Sequence, residues 1–428
     1  MREPRGPAPP AGRERAVHLD ENEPLTRLRE RFVLPRSPEG RPLVYLSGNS
    51  LGLAPRRARA EVEAVLDDWE RLAVRGHFQA GIPWYSYHQA LAGPLARLVG
   101  AQPDEVVAMN SLTANLHLML TSFYRPTPSR HRIVMEAQAF SSDRYAAESQ
   151  IRLHGLEPRT SLLLLEPRPG EDTLRDDDME QALRQENDSI ALILLGGVQY
   201  LTGQVFDLER VCRVGREIGA VVGLDLAHAV GNVSLRLHEW EADFAVWCGY
   251  KYLNGGPGAP GGCFVHQRHG RDRSLPRLAG WWGTDPATRF RMDPTFRPQV
   301  GAAGWQLSNP LVLGLAALKA SLDLFQEVGM EALRSRSERL TGFLQEQLTV
   351  EAGVPFRVLT PAEPARRGCQ ISVAVDRAQE RVRELETRGF ICDARPPDIL
   401  RVAPTPLYNT FQDVWSFSQA FKNVPGAP

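Results

Sequence analysis

Two short stretches decide the fold of this chain: Gly223-Leu-Asp225-Leu-Ala-His228 and Cys248-Gly-Tyr250-Lys251-Tyr-Leu-Asn254-Gly-Gly. Each contains or follows an apolar run, residues 220–224 and 244–248, that has the character of a buried strand. An Asp therefore follows one strand, and a Tyr and a Lys follow another. Taken singly, such residues have ordinary explanations, because an Asp after a strand often caps a helix and a Lys before Asn-Gly-Gly often lies in a surface turn.

The surrounding sequence gives these residues a common location. Between residues 130 and 266, apolar runs alternate with helical patterns, which is typical of a mostly parallel sheet covered by helices on both faces. Ligands of such sheets bind beyond the carboxyl ends of the strands. The segments that follow strands in this interpretation should meet at that edge; they are residues 139–143, residues 196–203, Asp225 and Tyr250-Lys251.

An Asp and a Lys held at one sheet edge favour pyridoxal 5'-phosphate (PLP) catalysis. Lys251 would form the Schiff base, and Asp225 would keep the pyridinium nitrogen protonated so that the ring accepts electrons. A phosphate site is predicted where Ser111 and Thr113 begin an apolar helical run, because a helix N-terminus offers unpaired N–H groups and the positive end of the dipole. An ordinary helix cap has the same pattern, so this signal is weak alone.

Composition narrows the classes of partner. The 428 residues are 43% hydrophobic and 24% charged, with a net charge of −1, as in ordinary globular proteins that act on small molecules. This charge gives no field that would attract nucleic acid or a membrane surface. Five cysteines without a CxxC pair argue against a disulfide framework and against a metal site, and we expect a reducing, cytoplasmic location. No apolar run reaches the 18 residues of a membrane span.

Four segments are predicted along the chain. Residues 1–20, rich in Arg and Pro, are expected to be a disordered leader, and residues 21–45 an N-terminal segment that packs with the small domain. Residues 46–309 would form the large cofactor-binding domain. Residues 310–428 would form a long hinge helix and a small C-terminal α+β domain.

From about residue 43 to the C-terminal helix, the chain resembles kynureninase, a PLP enzyme of the aspartate-aminotransferase-like fold, fold type I. The resemblance implies hydrolytic Cβ–Cγ cleavage of L-kynurenine and/or 3-hydroxy-L-kynurenine to (3-hydroxy)anthranilate and L-alanine in tryptophan catabolism. It also implies a homodimer in which each site borrows residues from the partner. The motifs that carry it are Gly48-Asn-Ser-Leu-Gly, Asn110-Ser-Leu-Thr-Ala-Asn-Leu-His, Phe140-Ser-Ser-Asp, Asp225-Leu-Ala-His-Ala-Val-Gly-Asn, Tyr250-Lys-Tyr-Leu-Asn, Gly280-Trp-Trp-Gly and Arg401-Val-Ala-Pro-Thr-Pro-Leu-Tyr-Asn.

The resemblance also implies roles for individual residues. Lys251, Asp225 and Tyr250 would be catalytic, with Tyr250 as a proton donor. The other cofactor contacts would be Leu112, Thr113, Phe140, Ser141, Ser142, Asp143, Thr202, His228, Trp281 and Asn309, with Phe140 stacked on the ring. The substrate contacts would be Asn49, Ser50, His77, Trp282, Ser308, Asn309 and Arg401.

Two of these substrate roles have a chemical reason. The planar guanidinium of Arg401 suits the substrate α-carboxylate. His77 with Asn309 would favour the 3-hydroxy substrate of the animal-type enzymes through hydrogen bonds to its extra hydroxyl.

The chain departs from the family pattern at three positions, which leaves the substrate preference open. Ser141 replaces a usual Pro, Gly196 replaces a Ser of animal forms, and Thr284 stands where a His often follows the Trp motif. Two other functions stay open. A cysteine desulfurase-like PLP lyase would need a catalytic Cys on a mobile loop, for which Cys369 is the candidate. A non-catalytic binding or assembly protein would have no need for an intact PLP site.

Overall fold

The computed structural model describes residues 12–349 and 355–423 and divides into two compact units. The large unit contains residues 49–200 and 204–330. The small unit contains residues 201–203 and the described residues before 49 and after 330. The boundary expected at residue 310 therefore lies at residue 331, and the helix that follows Leu311 belongs to the large unit.

The secondary structure of the described residues alternates as the sequence predicts over the large unit. The helices are α1 Arg13–Glu21, α2 Arg57–Leu72, α3 Gly76–Gln79, α4 Gln89–Val99, α5 Leu112–Phe123, α6 Ser141–Leu153, α7 Pro158–Ser161, α8 Asp176–Gln185, α9 Leu208–Glu217, α10 Leu237–Trp240, α11 Gln267–Gly270, α12 Val312–Val328, α13 Met330–Thr349, α14 Ala378–Thr387 and α15 Phe411–Lys422. The strands are β1 Val44–Tyr45, β2 Val106–Ala108, β3 Arg132–Glu136, β4 Leu162–Leu165, β5 Ile190–Gly196, β6 Val221–Asp225, β7 Phe244–Trp247, β8 Gly262–Val265, β9 Arg357–Val358, β10 Ile371–Ala374, β11 Phe390–Ile391, β12 Asp393–Arg395 and β13 Ile399–Val402.

A mostly parallel sheet organises the large unit. Among its described residues, the strands lie in the order β2-β8-β7-β6-β5-β3-β4, and β4, β3, β5, β6 and β7 are paired in parallel. β8 is antiparallel to both of its neighbours, β7 and β2. The carboxyl ends of β3, β5, β6 and β7 therefore lie along one edge, as predicted.

Both faces of this sheet are covered, which explains the nearly continuous apolar strands. Leu192 and Leu194 of β5 belong to a core cluster that includes Leu116 and Met119 of α5. Ile193, between them, points to the other face, where its side chain approaches Gly215 of α9. A strand buried on both faces has no polar side to expose, so its sequence shows no alternation.

The small unit is built on an antiparallel sheet in the order β12-β13-β10-β9. Its core contains apolar residues of α13, α14 and α15 packed on β10 and β13. The N-terminal segment belongs to the same unit, because β1 pairs in parallel with β11. A 3-10 helix, Pro24–Arg31, precedes β1.

The prediction of a disordered leader is wrong from residue 13 onward. Helix α1 occupies this stretch, and its Ala16 is fully buried. The Asp20 carboxylate accepts hydrogen bonds from the backbone N–H groups of Phe411 (2.8 Å) and Gln412 (3.0 Å) at the start of α15. These contacts lie far apart in the sequence, which explains why composition missed them. Residues 1–11 of the predicted leader lie outside the described residues. In the described part of the chain, no helix is long and apolar enough to cross a membrane.

Candidate active site

Asp225 and Lys251 lie at the predicted edge of the sheet and line the same cavity. Asp225 is the last residue of β6, and Lys251 lies in the turn after β7. The cavity has a volume of about 550 Å³ and opens to solvent. Its walls are formed by Leu112, Thr113, Glu136, Phe140, Ser142, Asp143, Gly196, Val198, Tyr200, Asp225, Ala227, His228, Tyr250 and Lys251.

The Lys251 amine is surrounded by groups that can hold it and exchange protons with it. Its Nζ lies 3.0 Å from Nε2 of His228. It also lies 5.8 Å from the centre of the Phe140 ring and 6.0 Å from that of Tyr250. Burial raises the pKa of the Tyr250 phenol to about 12, with the neighbouring Cys248 and Asp225 adding to the shift. Tyr250 is therefore a protonated donor at neutral pH.

The Asp225 carboxylate is buried and oriented by the backbone. Its Oδ1 accepts a hydrogen bond of 2.7 Å from the N–H of Ala227, so the Asp does cap the turn that follows β6. The same side chain still borders the cavity. The ordinary interpretation of this Asp and the functional one are thus compatible, since one carboxylate oxygen suffices for the turn.

Two helix N-termini meet at another wall of the cavity. Helices α5 and α6 begin at Leu112 and Ser141, and the Thr113 and Ser142 hydroxyls are 2.8 Å apart. Ser111 makes no side-chain hydrogen bond to the first turn of α5. N–H groups and hydroxyls in this arrangement suit a phosphate. Ser141, a predicted cofactor contact, is exposed and does not line the cavity.

Gly52, just after the predicted substrate contacts Asn49 and Ser50, lies next to the backbone of Lys251. The N–H of Gly52 donates a hydrogen bond of 2.8 Å to the carbonyl of Tyr250. A Cβ at residue 52 would lie 2.3 Å from the Lys251 carbonyl oxygen, so only glycine allows this close approach. Asn49 is buried, whereas Ser50 is exposed.

The predicted aryl-ring contacts are divided between a second cavity and an aromatic cluster. His77 and Asn309 line an apolar cavity of about 510 Å³ together with Val65, Trp69, Trp84, Pro310, Val312 and Leu313. Trp282 is instead buried against Tyr85, with ring centres 5.2 Å apart. Ser308 is exposed. The two cavities have no lining residue in common.

Three further predicted contacts are not among the residues that line the Lys251 cavity. Trp281 is exposed and donates its indole N–H to the carbonyl of Arg289 at 3.1 Å. Arg401 and Thr202 belong to the small unit. There Arg401 is buried and bonds both carboxylate oxygens of Asp393, and the Thr202 carbonyl accepts a hydrogen bond of 2.5 Å from the Thr360 hydroxyl.

The sequence interpretation missed Glu136 and Tyr200, which also line the Lys251 cavity. Tyr200 packs edge-on against Phe140, with ring centres 5.2 Å apart. Glu136 is the last residue of the apolar strand β3, just as Asp225 is the last residue of β6. The signal was therefore available, because an acid at the end of a buried strand is unusual wherever it occurs.

Comparison with known proteins gives a consistent picture. Residues 333–421 match the family model described as kynureninase C-terminal domain. The chain is 54% identical over 407 residues to the kynureninase of Koribacter versatilis (strain Ellin345), covering 95% of this chain and 96% of that one. It is also 54% identical over 409 residues to the kynureninase of Xanthomonas campestris pv. campestris (strain B100), with the same coverage.

Solved structures of low identity share the fold. The apo cysteine desulfurase of Thermococcus onnurineus NA1 has 16% identity and a TM-score of 0.75, covering 89% of this chain and 94% of that one. The cystine C-S lyase C-DES, solved with cysteine persulfide, has 17% identity and a TM-score of 0.77, covering 89% and 97%. At these identities the likeness concerns the fold alone, and the predicted fold type I is confirmed.

Proposed function

The chain belongs to the kynureninase family, and on that premise we propose that it uses PLP to cleave the Cβ–Cγ bond of kynurenine-type substrates. The products would be L-alanine and an anthranilate, as in tryptophan catabolism. The observation that carries the proposal is the cavity in which Lys251, Asp225 and Phe140 meet at the carboxyl ends of the strands. Each of these groups has a separate task in PLP chemistry.

The residues of the cavity fit the chemical parts of PLP. The Lys251 amine is the nucleophile that would hold the aldehyde, and the buried Asp225 carboxylate would pair with the ring nitrogen. The Phe140 ring, 46% exposed, offers an apolar face for stacking. The N-termini of α5 and α6, with the hydroxyls of Thr113 and Ser142, would hold the phosphate. When bound, PLP supplies an electron sink for the carbon next to the substrate amine.

The protein groups around that carbon would move the protons. Lys251, at 3.0 Å from His228 Nε2, can take a proton from the substrate and share it with the imidazole. Tyr250 is placed to donate one, because its phenol stays protonated well above neutral pH. Replacing Tyr250 by Phe keeps the ring and removes the donor, and should lower kcat by about 100-fold or more. Full turnover of that variant would exclude the role.

We assign a preference for 3-hydroxykynurenine to this chain. The apolar cavity offers flat apolar and aromatic walls for an aryl ring, and two polar side chains, His77 and Asn309, for its hydroxyl. The ring of His77 is fixed edge-on against Trp84, with centres 5.5 Å apart. A hydroxyl that finds a fixed polar partner in an apolar cavity gains affinity over a substrate that leaves this partner unpaired.

The same chain is proposed to act as a homodimer in which the apolar cavity of one copy completes the Lys251 cavity of the other. The two cavities share no lining residue within one chain. Large apolar side chains near the apolar cavity are exposed, among them Trp69 (61%) and Leu313 (44%). The rings of Phe78 and Phe290, each more than half exposed, lie 6.3 Å apart. Exposed apolar patches of this kind mark protein interfaces.

The desulfurase-like alternative receives little support from the structure. Its required cysteine would have to reach the substrate, and the candidate Cys369 is fully buried in the small unit. Burial also keeps thiols protonated and unreactive. The cysteine desulfurases that share the fold do so at identities that carry no information about substrate.

The experiment that tests the proposed function is a product assay with the PLP-loaded protein, offered L-kynurenine and 3-hydroxy-L-kynurenine in parallel. Release of alanine and the matching anthranilate should depend on Lys251 and vanish in Lys251→Ala. Lys319→Ala is the matched control, because Lys319 pairs with Asp323 at 3.0 Å in α12 and has no place in the cavity. Borohydride reduction followed by peptide mapping should attach the cofactor to Lys251. Uptake of PLP without cleavage of either substrate would overturn the assignment.

A further inference from the structure

Glu136 is a buried acid that the proposed chemistry leaves without a role. It is the last residue of β3 and is only 6% exposed. Its side chain lines the cavity that contains Lys251 and Asp225. The N–H of Gly196, at the end of the neighbouring β5, reaches its Oε2 at 3.4 Å, which is a long hydrogen bond. A carboxylate held so weakly in a buried position is costly to ionise.

Three carboxyl groups, those of Glu136, Asp143 and Asp225, share this cavity with the single amine of Lys251. Carboxyl groups that share a buried site raise the pKa of one another, so their simultaneous ionisation is disfavoured. The carboxyl groups differ in the hydrogen bonds that they receive. Asp225 Oδ1 accepts a hydrogen bond of 2.7 Å from Ala227 N–H, whereas Asp143 Oδ1 is buried without a hydrogen-bond partner among the described residues. The negative charge is therefore favoured on Asp225.

We propose that Glu136 is a positioning residue that keeps its proton up to about neutral pH, so that Asp225 carries negative charge while Glu136 offers its O–H to the cavity. A neutral carboxylic acid is a hydrogen-bond donor as well as an acceptor. A protonated Glu136 is neutral, so it would not compete with Asp225 for the positively charged ring nitrogen of PLP. The inference rests on the proposed use of the cavity by PLP.

The groups that face Glu136 agree with this assignment. Burial raises the pKa of Glu136 to about 7, and the negative charge of Asp225 adds to the shift. Burial and Asp225 also raise the pKa of Asp143, in the first turn of α6, well above its usual range, whereas Lys251 opposes this. The nearby titratable His228 contacts Lys251, with its Nε2 at 3.0 Å from Nζ. On the side of β4, Glu166 follows the strand and is exposed.

A substitution at Gly196 offers a second way to change the ionisation of Glu136. A Cβ at residue 196 would lie 3.4 Å from Glu136 Oε1, in ordinary van der Waals contact, so a serine fits there. Its hydroxyl would come within hydrogen-bond reach of the carboxylate. A donor that bonds the ionised form favours ionisation. Gly196→Ser should therefore lower the pH at which Glu136 loses its proton.

Infrared spectroscopy of the protein without cofactor tests the inference directly. The wild-type protein should show the carbonyl stretch of protonated carboxylic acid with a component that fades as pH rises through about 7. Glu136→Gln should lack that component, whereas any band from Asp143 should remain. Gly196→Ser should shift that loss to lower pH. Glu166→Gln, which alters an exposed acid just after the adjacent strand β4, should leave this component in place. Spectra of wild type and Glu136→Gln that coincide at every pH would overturn the assignment.

The holoenzyme supplies a second readout. The visible absorption of bound PLP, titrated with pH, should contain a component with the Glu136 midpoint that Glu136→Gln lacks and Gly196→Ser moves. A titration unchanged in both variants would show that the proton on Glu136 does not affect the cofactor. The infrared measurement needs neither cofactor nor substrate, so its failure is distinguishable from failure of kynurenine cleavage. Should Glu136→Gln not fold, the Gly196→Ser shift alone decides the outcome.

Discussion

Arg401 of β13 and Asp393 of β12 lie directly opposite each other on antiparallel strands, and the guanidinium donates to both carboxylate oxygens. The Nε–Oδ1 distance is 2.8 Å, and the Arg401 side chain is only 2% exposed. A guanidinium with two nitrogens bonded to one carboxylate has a fixed orientation. The proposed clamp for the substrate carboxylate is thus oriented by a partner that the sequence interpretation did not name.

Replacing Asp393 by Asn should loosen that orientation. We expect KM for the substrate to rise about 10-fold, with a smaller change in kcat, and the free energy of unfolding to fall by about 1–3 kcal/mol. Steady-state kinetics and urea unfolding measure the two effects. Arg395→Gln is the control, because Arg395 pairs with the same carboxylate at 3.0 Å from a position that is 37% exposed; it should change stability by less than about 1 kcal/mol. An unchanged KM in Asp393→Asn would limit Asp393 to a structural role.

If the proposed dimer forms through the aromatic cluster of Phe78, Tyr85 and Phe290, a charge in that cluster should separate the subunits. Phe78→Asp places a carboxylate beside Tyr85 and Phe290, whose rings lie 5.4 Å and 6.3 Å from that of Phe78. In sedimentation experiments this variant should be monomeric, and its activity should drop with the loss of dimer. Leu153→Asp alters a side chain that is 77% exposed at the end of α6 and should leave the mass unchanged. A monomeric wild-type protein, or a dimeric and fully active Phe78→Asp, contradicts the proposal.

The sequence predicted the large unit well because its signals are local. Strands β6 and β7 appear as the apolar runs 220–224 and 244–248, which match the structure to within one residue at each end, and Asp225 and Lys251 meet where parallel strands must place them. Helix α1 depends on a contact with Phe411, far along the chain, and no local pattern indicates it. The orientation of Arg401 depends on Asp393, eight residues earlier, through the pairing of β12 with β13. The apolar pattern of β3 predicts a strand, whereas the role of Glu136 depends on the cavity that it shares with Asp225 and Lys251.

The preference for the 3-hydroxy substrate should depend on His77. In His77→Trp the aromatic contact with Trp84 can persist, but the imidazole that would bond the extra hydroxyl is lost. We expect the ratio of kcat/KM values for 3-hydroxykynurenine over kynurenine to fall about 10-fold, the worth of one hydrogen bond. Val65→Ile changes an apolar wall of the same cavity and should affect both substrates alike. A constant ratio in His77→Trp would remove His77 from substrate selection.

Stability should fall in mild acid because of His88. Burial lowers the pKa of this imidazole to about 4, and the positive charge of the nearby Arg289 adds to the shift. Between an unfolded pKa near 6.5 and the folded value, the unfolded chain binds more protons than the folded one, so stability is lost as pH falls through this window. The loss is at most about 3 kcal/mol. His88→Gln does not titrate and should flatten urea-unfolding free energies between these pH values, whereas the exposed His18→Gln should not. Equal slopes in wild type and His88→Gln would contradict the assignment.

Gly223 in the middle of β6 connects core packing to the position of Asp225. It lies directly opposite Phe244 of β7, and a Cβ at residue 223 would lie 2.1 Å from the Phe244 ring. That ring cannot retreat easily, because it is fully buried and stacked on Phe123 with centres 5.1 Å apart. Gly223→Ala should therefore shift the strand that ends in Asp225.

We expect Gly223→Ala to lower the free energy of unfolding by about 1–3 kcal/mol or more, the usual effect of overpacking. It should also weaken PLP binding, measured by fluorescence titration. Gly342→Ala is the matched control: it removes the same chain flexibility, and the nearest atom to its Cβ, Arg367 Nη2, is 3.7 Å away. In helix α13 that change should stabilise the protein by about 0.5–1 kcal/mol. If both variants unfold alike and bind PLP alike, the contact between Gly223 and Phe244 does not set the position of Asp225.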